Sequence, residues 1–159
     1  MSAGNRNFTP GITSVLFVCN KNLVRSPMAE ALLKMQLAQW SKRAVFVESV
    51  GIDPDDEPDM AADIDGFVVS VMSELGQDLR RHHSKPLEMV DAQAFDLVIC
   101  LSLPAYDICK PIATFSATEV EYWDVIDPSK VSGNRDQRLG FYREIRDHLS
   151  AEIEKRFFD

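Results

Sequence analysis

Positive charge is scarce in this sequence. Among 159 residues, 17 Lys and Arg stand against 25 Asp and Glu, a formal net charge of −8 at neutral pH. A general nucleic-acid binder or a protein adsorbing to an anionic membrane needs a basic face, so neither class fits the chain as a whole, and any anion site has to be local. Long hydrophobic runs are absent too. None approaches the roughly 18 to 20 residues of a membrane span, and the apolar stretch from Val15 to Cys19 is too short for a secretory leader's core and follows a polar start. Cysteine is sparse and odd in number: three thiols cannot build a disulfide framework. They are expected to be reduced, with the cytoplasm as the compartment. Seven glycines and eight prolines exclude a collagenous or low-complexity chain, and 45% hydrophobic with 26% charged residues suits a soluble domain with a single core.

What is present alternates between strand and helix patterns. Residues 1–12 are polar and broken by Pro10 and Gly11, and read as a flexible tail leading into one domain over 13–159. Thr13 to Val18 suits a buried strand, and Met28, Ala31, Leu32, Met35 and Gln39 follow at helical spacing. Ala44 to Val50, Phe95 to Leu101 and Glu119 to Val125 read as three further strands. Met60 to Leu75 reads as a helix with Gly76 placed to cap it. Asn134 and Gln137 have capping-box spacing ahead of an apolar stripe of Leu139, Tyr142, Ile145, Leu149, Ile153 and Phe157. The expected class is α/β: a single domain with a four-stranded parallel sheet and helices on both faces. Asp53 to Asp59, acidic and carrying two prolines, reads as a solvated loop.

The chemistry concentrates at the end of the first strand, where open α/β sheets bind ligands. The segment Val15 to Glu30 puts Cys19 at the strand's carboxyl end and Arg25 six residues on. Ser26 is a preferred N-cap and Pro27 a preferred first helical residue, so a helix is expected to start just after Arg25 with its open N–H groups facing the loop. Loop amides and the helix dipole would make Asn20, Lys21, Asn22, Leu23, Val24, Arg25 and Ser26 a phosphate cradle. The same field favours a thiolate at Cys19, and the Arg25 fork can hold two oxygens of an oxyanion in parallel. A nucleophile attacking phosphorus needs an acid for the leaving oxygen. Asp127, ahead of Pro128, is the candidate and Asp124 the competitor.

These residues resemble the low-molecular-weight protein tyrosine phosphatase family, whose loop has the form Cys-X-Gly-Asn-X-Cys-Arg-Ser-Pro. Cys19, Asn22, Arg25, Ser26 and Pro27 sit at family positions, and Met28, Ala29 and Glu30 continue the family's helix start. Ser49-Val50-Gly51, Gly76-Gln77-Asp78, His82, Ser84, Lys85, Leu87, Phe95-Asp96-Leu97-Val98 and Asp127-Pro128 carry the likeness along the chain. The resemblance implies a phosphatase-I-like fold and a phosphocysteine on Cys19. It also implies phosphate held by Arg25 and the loop amides, Asp127 as acid then base, Asn22 bracing the loop, and Ser26 hydrogen-bonded to the thiolate. The substrate would be a phosphorylated protein or a small aryl phosphate, and no metal or cofactor is called for.

Several positions depart from that pattern. Lys21 replaces a glycine, and if that site needs a positive φ its side chain costs on the order of 1 kcal/mol. Val24 stands where many members have a second cysteine, and Ser129-Lys130 replaces a tyrosine pair after the acid. Arsenate reductases of the same fold, coupled to thioredoxin, glutaredoxin or a small thiol, are the alternative. Their relay uses two cysteines after the third strand, and strand register puts Ser102 at the first position and Cys109 at the second, with Cys100 read as core. A degenerate phosphate-binding module, motivated by Lys21, is the third reading. His82 and His83 read as a surface pair. No Walker loop, dinucleotide fingerprint or serine elbow occurs.

Overall fold

The computed structural model describes residues 5–53 and 64–159. Four strands, β1 (Ser14–Cys19), β2 (Phe46–Gly51), β3 (Leu97–Cys100) and β4 (Glu119–Tyr122), form one sheet in the order β2-β1-β3-β4. Every neighbouring pair is parallel, which needs a crossover between successive strands. The crossovers and the chain's end supply α1 (Arg25–Trp40), α2 (Gly66–Ser73), α3 (Leu103–Cys109), α4 (Ile112–Phe115) and α5 (Arg135–Phe157). The expected architecture is therefore the observed one.

Strand alternation divides the core. Val15, Phe17 and Cys19 of β1 point to one face with Leu97 and Ile99, where Met28, Leu32, Leu149, Ile153 and Phe157 of α1 and α5 cover them. Leu16 and Val18 point to the other face with Val98 and Cys100, covered by Ala105 and Cys109 of α3. β1 and β3 are central and buried on both faces, which is why they read as unbroken apolar runs. Among the described residues no helix is long and apolar enough to cross a membrane.

Several boundaries differ from the sequence reading. Ala44 and Val45 precede β2, and β4 ends at Tyr122. The second helix is shorter than expected: Asp65 caps it by accepting from the Phe67 N–H at 2.8 Å, and it closes through Gly76 at φ +75, with Gln77 N–H reaching Met72 O at 3.0 Å. Residues 1–4, the Met60 to Asp63 part of the expected helix and most of the acidic Asp53 to Asp59 loop lie outside the described residues. Residues 5–12, expected as a flexible tail, are docked. Phe8 is buried, stacks on Phe157 at 5.3 Å and bridges Phe158, while the Arg6 guanidinium lies 4.4 Å from the Trp40 ring centre.

On α5 the capping box of Asn134 and Gln137 is formed as expected. The stripe carries one surprise: Arg146 is buried where Ile145 was expected, and Ile145 is only partly covered. The guanidinium's Nη1 donates to Val71 O at 2.8 Å and to Glu74 Oε1 at 2.7 Å, tying α5 to the end of α2. Arg143 and Arg146 together hold the Glu74 carboxyl at about 2, below the usual carboxylate range. Replacing Arg146 by Ala leaves a buried carbonyl unpaired and is expected to lower stability by about 1–3 kcal/mol in urea unfolding. Glu74→Gln, on the exposed side of the pair, is expected to cost less.

Candidate active site

The loop between β1 and α1 is built around Cys19 and closed by the helix. α1 begins at Arg25 with Val24 as its cap and no side chain capping its amides. Ser26, expected as the N-cap, lies instead in the first turn with its hydroxyl 2.9 Å from Cys19 Sγ. That hydroxyl accepts from Asn22 Nδ2 at 2.8 Å and donates to Val50 O at 3.4 Å, and in its contact with Sγ either the hydroxyl or the thiol can be the donor. The Asn22 backbone N–H donates to the same sulfur at 3.3 Å. The sulfur is thus bracketed by a backbone N–H and a hydroxyl.

Asn22 holds the loop's shape. It is fully buried with φ +58, one of two described non-glycine residues with positive φ, the other being Asn5. Asparagine tolerates this region better than most residues. Its Nδ2 also donates to Ser49 Oγ at 2.9 Å, its Oδ1 accepts from Lys85 N–H at 2.9 Å, and its carbonyl lies 2.9 Å from His82 Nε2. The strain expected at Lys21 therefore falls on Asn22. Lys21 has no positive φ, and its ammonium lies 3.7 Å from Asp53. Beneath the loop, a Cβ on Gly51 would come within 2.8 Å of Asn20 O and 2.9 Å of the Lys21 carbonyl carbon. β2 must end in glycine for the loop to lie over it.

Above Cys19 the pocket is closed by Arg25 and the Asp127 turn. Arg25 is only 8% exposed, and its Nη1 donates to Leu101 O at 3.1 Å and Val125 O at 3.0 Å. Its Nη2 lies 3.7 Å from Asp127 Oδ2. A cavity of about 130 Å³ lies between them, lined by Cys19, Asn20, Lys21, Leu23, Val24 and Arg25 from the loop and by Asp65, Asp127, Ser129 and Lys130 opposite. Of the expected cradle, Asn22 and Ser26 stand behind the cavity wall as supports. Asp124 does not line the cavity.

Several contributors were hidden in the sequence. His82, read as half of a surface pair, is half-buried against the loop, and burial pushes its imidazole below the ordinary 6.5 despite the bond to Asn22. Ser102 caps α3 and donates to Asn20 Oδ1 at 2.6 Å, bracing the loop from the third strand. Cys100 and Cys109 are buried together on the opposite face, where their interaction with each other and burial push the Cys100 thiol up. Among the described residues, Cys19 is alone on its side of the sheet.

A loop that brings a buried cysteine and arginine together at the carboxyl edge of a four-stranded parallel sheet defines the class of fold, a single-domain α/β protein of the phosphatase-I kind. Residues 14–157 match the model of the low molecular weight phosphotyrosine protein phosphatase family, and the chain belongs to that family. It is 29% identical over 140 residues to an arsenate reductase of Halalkalibacterium halodurans, covering 87% of this chain and 91% of that protein. An arsenate reductase of Bacillus licheniformis is 29% identical over 145 residues, covering 91% and 94%. Among solved structures, a YwlE mutant from Bacillus subtilis superposes with a TM-score of 0.69 at 25% identity, covering 90% of this chain and 95% of that one. The Erwinia amylovora tyrosine phosphatase AmsI shares the fold with a TM-score of 0.70 at 23% identity, covering 96% of each chain.

Two outcomes test this geometry. Gly51→Ala is expected to displace the loop and weaken binding of inorganic phosphate about tenfold, read by titration calorimetry, since overpacking here costs about 1–3 kcal/mol. For His82 the depressed value means that the unfolded chain takes up a proton first as pH falls. Its contribution to stability is therefore complete above 6.5 and is lost below that as pH falls through the folded value. A melting-temperature profile is expected to drop over that window, and His82→Gln to flatten the drop.

Proposed function

We propose that the protein is a phosphomonoester hydrolase of the phosphotyrosine-phosphatase kind, working through a phosphocysteine on Cys19. One observation carries this reading: Cys19, Arg25 and Asp127 converge on a single small cavity while the other two cysteines lie on the far face of the sheet. A phosphoryl dianion enters with its oxygens toward the loop amides and the Arg25 guanidinium, where aligned donors stabilise the charge spread over its equatorial oxygens. Cys19 Sγ attacks phosphorus, the P–O ester bond breaks, and the leaving oxygen takes the proton of Asp127. Water then attacks the phosphocysteine and gives its proton to Asp127. The S–P bond breaks, releasing inorganic phosphate and restoring both thiolate and acid.

A phosphorylated protein or a small aryl phosphate remains the proposed substrate. The exposed Lys130 at the cavity's edge favours an acidic group near the phosphoryl, and Ser129 leaves one wall open. Working with a thiolate nucleophile, the enzyme belongs in a reducing compartment, and we place it in the cytoplasm.

The arsenate reductase reading is favoured by the relatives at 29% identity. An internal relay would need a thiol able to reach Cys19. Ser102 occupies the first relay position, bonded to Asn20, and Cys109 is turned to Cys100 on the far face. Only a form using an external thiol fits. The reading as a binding module drew on strain at Lys21, which Asn22 carries instead.

The test is turnover of an aryl phosphate by the wild type and by Cys19→Ser, with arsenate reduction assayed beside it using reduced thioredoxin or glutaredoxin. Cys19→Ser is expected to lower phosphatase kcat at least about 10³-fold, as loss of a catalytic nucleophile does elsewhere. Arsenate reduction without aryl phosphate turnover would replace this reading with the reductase. Phosphate binding with neither activity would replace it with the module.

A further inference from the structure

Ser129 stands where the family pattern often carries a tyrosine, and it grips the proposed acid twice. Its backbone N–H donates to Asp127 Oδ1 at 3.0 Å, and its hydroxyl donates to that same oxygen at 2.7 Å. Asp127 Oδ2 faces the other way, 3.7 Å from Arg25 Nη2. The two carboxyl oxygens are therefore chemically distinct. An oxygen accepting two donors is stabilised as the oxyanion end of the group, and the hydroxyl oxygen of a carboxylic acid is a poor acceptor, so a proton on Asp127 settles on Oδ2. The backbone is held too: Asp127 caps a short 3₁₀ turn whose first residue, Pro128, is buried.

We infer that Ser129 is a positioning residue that makes Asp127 Oδ2, on the Arg25 side of the cavity, the oxygen that delivers and recovers the proton. This rests on the hydrolase reading above. In the first step the proton leaves Oδ2 for the ester oxygen, and both oxygens are then held, Oδ1 by Ser129 and Oδ2 beside the Arg25 guanidinium. In the second step water returns a proton to Oδ2, the oxygen not already committed. Without the hydroxyl, Oδ1 keeps only the backbone donor, and a half-turn of the planar carboxyl exchanges the two oxygens at little cost. Part of the acid then carries its proton on the side away from the leaving group.

The consequence falls on the leaving group. Aryl phosphates with good leaving groups need little protonation, whereas phenyl or alkyl phosphates depend on it. The experiment measures kcat/KM, which reports the first chemical step, for nitrophenyl, phenyl and alkyl phosphates with wild type, Ser129→Ala, Ser129→Thr and Cys19→Ser. Ser129→Ala is expected to keep the nitrophenyl value within about twofold and to lose about tenfold on phenyl phosphate, a fraction of the full acid contribution. Ser129→Thr, which retains the hydroxyl, is expected to restore the wild-type dependence. A uniform loss over all leaving groups would make Ser129 merely structural and overturn the inference, as would no loss at all or failure of Thr to rescue. Those results in an active enzyme that depends on Cys19 sink only the Ser129 assignment, whereas a wild type without turnover sinks the hydrolase reading and this inference together.

Discussion

The site depends on one buried asparagine. Asn22 spends every polar group it has: the backbone N–H on Cys19, the carbonyl on His82, the amide oxygen on Lys85 and the amide nitrogen on Ser26 and Ser49. Such a network in a water-poor interior has a single satisfied arrangement, because moving any partner strands a buried donor or acceptor. The left-handed φ of Asn22 is a local cost that this network offsets. It turns the chain so that the Asn22 amide faces the sulfur, and it holds the Ser26 hydroxyl beside Cys19. The environment of Cys19 thus follows from how an asparagine behind the cavity is satisfied.

The parallel sheet supplies the second constraint. Because successive side chains alternate faces, Cys19 and Cys100, which ends the neighbouring strand, are sorted into different cores. Their separation does not depend on distance along the chain. It follows from register, with Val18 rather than Cys19 opposite Cys100. The backbone between Cys100 and α3 still serves the site, since Leu101 O anchors Arg25 and Ser102 anchors Asn20. The third strand contributes carbonyl and hydroxyl positions to the loop but no thiol. This is the physical basis for preferring hydrolysis over an internal redox relay.

What was legible in the sequence was what is local. The order of strands and helices, the capping box at Asn134 and the segment from Cys19 to Pro27 are written in residues a few positions apart. Cys19, Arg25 and Asp127, which meet at one cavity, could be picked out because each sits beside a turn signal. The rest is written across the chain. His82 meets Asn22 over 60 residues and Arg146 reaches Val71 over 75, so neither shows in any periodicity. Phe8 was passed over because its polar neighbours described a tail, and only α5 returning beside it supplies a surface to dock on. Gly51 fitted a family pattern, but its necessity comes from the approach of Asn20 and Lys21 to the end of β2.

The net charge of −8 remains to be reconciled with an anion pocket. A long-range field of that sign repels a phosphorylated partner, but it is screened over about 8–10 Å at physiological salt. In the proposed function, binding is decided inside that distance by Arg25, fixed through its Nη1 on two carbonyls, and by first-turn amides that no side chain caps. These donors are already ordered, so an entering dianion does not have to organise them, and in a confined cavity they act at low effective dielectric. The acidic surface then limits what reaches the pocket more than what the pocket can hold.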